Sequence, residues 1–243
     1  DNKCNFQLNY SNNDTTPRNN GQFNGVLNLS FFPALVLTLE NSHFKLNDSL
    51  WQLNNENKIY YDSLKFAFTQ LKIFNQNQQL GINGILSKKP TDNLDITLKN
   101  FNISNLDIIT TKKRMDFDGF FTGDVRIANL YASPYITSNI FINEFVYNKD
   151  KIGDLSLNSI WDNDKKAFQV NANIIYRGNI GSDSTLSVKG FFYPQSEKNN
   201  FDLDIKLKNF KLEVIKNYLA SFSSDLRGLD RKSTRLNSSH VSQ

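Results

Sequence analysis

The chain has 243 residues, 21% of them charged, with a mean hydropathy of −0.49 and a formal net charge of +4. Three of those charges, Arg231, Lys232 and Arg235, sit in an acid-free tail, and elsewhere Lys and Asp alternate along apolar segments instead of clustering, which excludes a nucleic-acid surface. No run approaches the roughly 18 apolar residues of a spanning helix, and Cys4, the only cysteine, leaves no partner for an internal disulfide.

Residues 1–20 are rich in Asn, Asp and Ser, with Pro17, and read as a flexible lead-in. The chain begins with Asp1 and shows no charged segment followed by an apolar one, so it is expected to be an internal fragment. From Phe23 the pattern turns to strands: Phe23–Leu29, Leu35–Leu39, Leu50–Leu53, Lys58–Tyr61, Leu64–Phe68, Leu71–Ile73 and Leu80–Leu86. Glu40-Asn41-Ser42 and Asn47-Asp48 read as turns between them. A strand at Leu94–Phe101 follows, and apolar residues at 103, 106 and 109 predict one or two helical turns. Beyond Gly119 to Gly123, read as a turn, come strands at Gly123–Ile127, Tyr135–Ile142, Phe145–Tyr147, Leu155–Leu157, Phe168–Ile174 and Leu186–Gly190. Turns are expected at Asp162–Lys165 and at Gly178–Ser184. Val214, Ile215, Tyr218, Leu219 and Phe222 form the stripe of a helix over about 212–222. The tail from Arg231 abandons alternation and is expected to be non-native or disordered.

One stretch occurs twice. Leu94-Asp95-Ile96-Thr97-Leu98-Lys99-Asn100-Phe101 returns 109 residues later as Leu203-Asp204-Ile205-Lys206-Leu207-Lys208-Asn209-Phe210. In both copies the alternation slips at Asn, which predicts a bulge there, since Asn tolerates the unusual backbone angles. Gly119 and Gly228, Trp51 and Trp161, and Ile82-Asn83-Gly84 and Val188-Lys189-Gly190 recur in the same order. The expected organisation is therefore a lead-in over 1–20, one β repeat over 21–119, a second over 120–229, and a tail over 230–243.

Reactive groups are sparse. His43 and His240 are the only histidines, no Cys/His set has zinc spacing, and no Gly-x-Ser-x-Gly is present. Asp162-Asn163-Asp164 resembles the opening of a calcium loop, but Ala167 and Asn173 stand where an EF-hand needs Gly and Glu. The chain is expected not to be an enzyme and to hold neither metal nor cofactor. What it does carry is apolar surface, including 20 Phe, concentrated on one side of each strand. Two sheets could close over that side, or a single curved sheet could leave it lining a groove.

The landmarks as a set resemble the TamB family, AsmA-like envelope proteins in the version found in Bacteroidota. They are Asp48-Ser49-Leu50-Trp51 with Ile59-Tyr60-Tyr61, Leu80–Gly84, Leu94–Leu106 with its Leu-Lys-Asn-Phe core, Gly153-Asp154-Leu155, Trp161-Asp162-Asn163, and Asp225-Leu226-Arg227-Gly228. The resemblance implies an all-β fold: an elongated, repeated antiparallel or mixed sheet curved into a U-shaped hydrophobic groove, with short helices at the repeat ends. It implies an inner-membrane-anchored protein of the periplasm that carries phospholipid towards the outer membrane and assists outer-membrane protein assembly with a TamA-type barrel partner. The anchor and the outer-membrane-proximal region are expected to lie outside this fragment. Groove-lining residues are then expected at Leu94, Ile96, Leu98, Phe168, Val170, Ala172, Ile174, Leu186, Val188, Leu203, Ile205 and Leu207. The rival readings are a closed β-sandwich or solenoid binding module, an adhesin or glycan binder with exposed Trp51 and Trp161 stacking on sugars, and a β-helical carbohydrate-active enzyme.

Overall fold

Alternation of period two runs through almost the whole chain, and in the computed structural model it becomes strand after strand. Residues 2–12, 19–46, 48–106, 116–129, 134–176, 184–196, 200–208 and 235–237 are described. The strands are β1 (Lys3–Ser11), β2 (Asn20–Asn28), β3 (Leu35–Leu46), β4 (Ser49–Leu53), β5 (Lys58–Tyr61), β6 (Lys65–Asn75), β7 (Gln78–Ser87) and β8 (Asn93–Asn102). They continue as β9 (Phe117–Ala128), β10 (Tyr135–Tyr147), β11 (Asp150–Asp162), β12 (Ala167–Tyr176), β13 (Ser184–Phe192), β14 (Phe201–Lys208) and β15 (Arg235–Asn237). Among the described residues the sole helical element is a 3-10 turn at Ile103–Leu106, at the start of the expected helical stop. The expected helix over 212–222, the slip at Asn209, Gly228 and the turn at 178–184 lie outside the described residues, apart from Ser184.

Each strand hydrogen-bonds its successor, with β5 set aside between β3 and β6, and the path ends at β1 and β15 without closing into a barrel. The pairings among β1 to β8 and among β10 to β15 are all antiparallel. Two compact units divide the chain: Asp1–Asn105 with Thr122–Ile136, and Leu106–Phe121 with Thr137–Gln243.

Three expectations change. Residues 3–11 are not a loop but β1, because Cys4, Phe6, Leu8 and Tyr10 alternate and pair across to Leu27, Gly25, Phe23 and Gly21. Glu40-Asn41-Ser42 is not a turn: β3 runs straight through it. Gly119 to Gly123 is likewise interior to β9. Separately, residues 235–237 within the expected tail pair with β14.

Four interruptions of the alternation are bulges of one design, and one of them, Asn41, lies in an expected turn. Asn41, Gln70, Asn100 and Glu144 have φ of 48°, 49°, 48° and 52°. The N–H of each donates to a side-chain oxygen: Asn55 at 2.8 Å, Asn83 at 3.1 Å, Thr122 at 3.0 Å and Asp154 at 3.0 Å. A left-handed residue would otherwise leave its N–H without a ladder partner, so the side chain supplies the missing acceptor. The bulge at Asn100 is the one the sequence pattern predicted.

Candidate functional site

Bulges matter because they restore parity. Leu94, Ile96 and Leu98 occupy one face of β8, opposite Gly84, Ile82 and Leu80 of β7. With ordinary strand angles at Asn100, Phe101 and Ile103 would turn to the other face; its left-handed conformation absorbs the extra residue, so they remain on the apolar side and are buried. Across β6 the same face continues through Leu71 and Ile73, flanking the equivalent bulge at Gln70.

The second unit builds the larger apolar wall. Register places Ile142, Leu155, Ile174, Leu186 and Leu207 in one row across β10 to β14. Ile140, Leu157, Ala172, Val188 and Ile205 form the next. Trp161, Phe168, Phe192 and Phe201 form an aromatic row across β11 to β14, with ring centroids 4.8 Å apart for Trp161–Phe168 and 4.9 Å for Phe192–Phe201. The expected lining residues Phe168, Val170, Ala172, Ile174, Leu186, Val188, Leu203, Ile205 and Leu207 thus share this face, whereas Leu94, Ile96 and Leu98 belong to the first unit. Of the twelve, Leu94 and Leu186 are buried and the other ten are half-buried. Ile140, Ile142, Leu155 and Leu157 join them beyond the expected twelve, because the alternation of β12 runs through β10 and β11 too.

Polar residues predominate on the opposite face, although Phe141 and Ile160 are exposed there. Asn139, Asn158, Asn171, Lys189 and Asp204 line up across the same five strands. In the first unit Arg126 Nε lies 2.6 Å from Asp95 Oδ1, an exposed pair between outward-facing residues that holds the guanidinium above its ordinary pKa. Such a face solvates the sheet and gives the two sides unlike chemistry.

In the first unit the apolar side curls inward. Trp51 of β4 is 2% exposed and lies 5.5 Å from the ring of Phe101 in β8. Three strand steps separate β4 from β8 through β6 and β7, about 14 Å in a flat sheet. Contact between those rings therefore requires the sheet to bend towards its apolar face. Phe23 and Phe44 extend the stack, at 6.1 Å from each other and 6.4 Å from Phe44 to Trp51. Buried Trp51 has no surface to offer a sugar. Trp161 is half-buried on the wall, with its indole Nε1 donating to Asn163 at 3.2 Å. The exposed pair of tryptophans expected of a glycan binder is not what the fold provides.

Polar clusters turn out to be structural. Asp162 Oδ1 accepts from the N–H groups of Asp164 and Lys165, each at 2.9 Å, so the calcium-like run is a hairpin turn closed by its own first residue. A concavity of about 470 Å3 in the second unit includes Asp118, Glu144, Lys151 and Asp154. Two of its carboxylates are committed to backbone, Asp118 to Gly119 N–H at 2.7 Å and Asp154 to Glu144 N–H. Among the described residues no three potential metal ligands converge. Compared with protein-family models, with curated proteins and with solved structures, the chain gives no match.

Proposed function

We propose that this chain is a lipid-carrying segment of a periplasmic bridge of the TamB, AsmA-like kind, in which the apolar strand faces hold phospholipid acyl chains. The observation that carries the reading is the wall across β10 to β14: its apolar rows run from strand to strand, yet most of its side chains stay half-buried. A closed sandwich would bury such rows completely.

The chemistry suits an acyl chain. Backbone N–H and C=O groups are spent on the ladder, so the face meets hydrocarbon with side chains alone. Burial of apolar surface is worth about 25 cal/mol per Å2 and is non-directional, so a tail is held without being fixed and can slide. The polar outer face meets water. On this reading the partners are phospholipid, an inner-membrane anchor and a TamA-type outer-membrane barrel.

Photo-crosslinking residues at Ile96 and Ile205 test it in cells, with outward-facing Thr97 and Lys206 as controls. Phospholipid adducts at the inward pair alone, with phospholipid recovered by mass spectrometry from the purified chain, are the expected result. Silence at both inward positions, or equal labelling of both faces, would overturn the proposal.

A further inference from the structure

The two ends of the strands in the first unit differ in chemistry. At one end the turn between β6 and β7 is made of amide side chains, Asn75-Gln76-Asn77-Gln78. At the other end the turn between β2 and β3 carries Phe31 and Phe32, 61% and 80% exposed, and the turn between β5 and β6 carries Leu64, 73% exposed. Beside them the turn between β7 and β8 carries exposed Lys88 and Lys89. Turns ordinarily present Gly, Asn, Asp and Ser to water, so Phe-Phe and Leu at the tips call for an apolar phase outside the chain.

We propose that this end of the first unit docks on the surface of a lipid bilayer, with Phe31, Phe32 and Leu64 entering the interface and Lys88 and Lys89 meeting anionic headgroups. Three observations favour a bilayer over a protein partner. First, the turns leave the sheet at one level: Leu35 pairs with Tyr61, Tyr61 with Phe66, and Phe66 with Leu86, so the tips can share one plane. Second, the tips are held out by their own hydrogen bonds. Ala34 N–H donates to Phe31 O at 2.8 Å, Leu64 N–H to Asp62 Oδ1 at 2.7 Å, and Lys89 N–H to Ser87 Oγ at 2.9 Å. Third, the charge is complementary. Lys65, Lys88 and Lys89 belong to these turns, while the acids there are occupied: Asp62 by Tyr60 Oη at 2.7 Å and by backbone, Asp92 by Ser87 Oγ at 2.7 Å. Aromatic rings flanked by lysines are the composition of a membrane–water interface, and each lysine near an anionic leaflet adds affinity.

This inference goes beyond the lipid-carrying reading and fails separately from it. A chain that binds vesicles but gives no adduct at Ile205 docks without carrying. A chain that gives adducts but does not bind vesicles carries without docking here.

The test is flotation of the purified chain with phosphatidylcholine vesicles, with and without phosphatidylglycerol. Phe32→Ser with Leu64→Ser is expected to weaken binding about tenfold on both. Lys88→Gln with Lys89→Gln is expected to weaken it about tenfold on the anionic vesicles only. As a readout that does not depend on affinity, Phe32→Trp should gain a blue-shifted emission on adding vesicles, quenched by brominated acyl chains, whereas Leu50→Trp should not. Equal binding by parent and double variants, or an unshifted Phe32→Trp, would overturn the proposal. So would a shift that appears on concentrating the chain without vesicles, which would make this end an interface between copies.

Discussion

Gly84 and Gly190 occupy the same place in two hairpins. Gly84 of β7 pairs with Leu94 and Gly190 of β13 with Leu203, the residues that open the two copies of the repeated stretch. Both have positive φ, 119° and 152°, and a Cβ on either would strike the neighbouring strand's backbone, at the carbonyl of Asn93 or Asp202. Gly190→Ala is therefore expected to cost about 1–3 kcal/mol, and Lys189→Ala on the outer face about 0.5 kcal/mol or less, compared by urea unfolding. A second residue-scale prediction concerns acid and base. The Tyr60 hydroxyl and the Leu64 N–H hold the Asp62 carboxyl below its ordinary 3.8, and the same contact raises Tyr60 above 10.0. A depressed carboxylate adds stability that is lost as pH falls through its folded value, and a raised phenol adds stability that is lost as pH rises past its unfolded one. Asp62→Asn should thus flatten Tm against pH both below 3.8 and above 10.0. Residue-scale legibility was uneven for a plain reason. The slip at Asn100 shows in the sequence because Leu98 and Phe101 flank it, whereas the slip at Asn41 is hidden by Ser42, a polar residue on the apolar side.

Elements are split in the sequence reading wherever such a slip breaks the alternation. β6 was read as two strands on either side of Gln70 and β10 as two on either side of Glu144, although each is one strand carrying a left-handed residue. β1 is hidden by the asparagine, aspartate and serine that fill residues 1–20 around it, although its four apolar residues alternate. Asn100 tests what these bulges do. Asn100→Ile, a β-branched residue that resists a φ of 48°, should press the strand towards a regular alternation that turns Phe101 and Ile103 to the wet face, and should cost about 1–3 kcal/mol, with a gain in binding of an apolar dye. Asn100→Gly should change stability by a few tenths of a kcal/mol, since glycine accepts the same φ.

At the scale of the whole chain, alternation told which residues share a side but not what covers that side. Period two fixes facing; coverage depends on curl, and curl came from contacts such as Trp51 with Phe101 that no local pattern announces. Two substitutions separate covered from open wall. Leu94 is 8% exposed, so Leu94→Asp buries a carboxylate and should cost on the order of 3 kcal/mol or more. Ile205 is half-buried, so in Ile205→Asp the carboxylate reaches water, the fold survives at a cost of about 1 kcal/mol, and phospholipid recovery falls. Circular dichroism alongside lipid mass spectrometry reads both.

Side chains already wetted in the native state have little left to expose when the chain melts. Calorimetry of the empty protein should accordingly give a heat-capacity increment below the roughly 12–15 cal/mol/K per residue of close-packed domains, and a correspondingly shallow temperature dependence of stability. Loading with a long-chain detergent should raise that increment, because hydrocarbon would then leave the wall as the strands come apart.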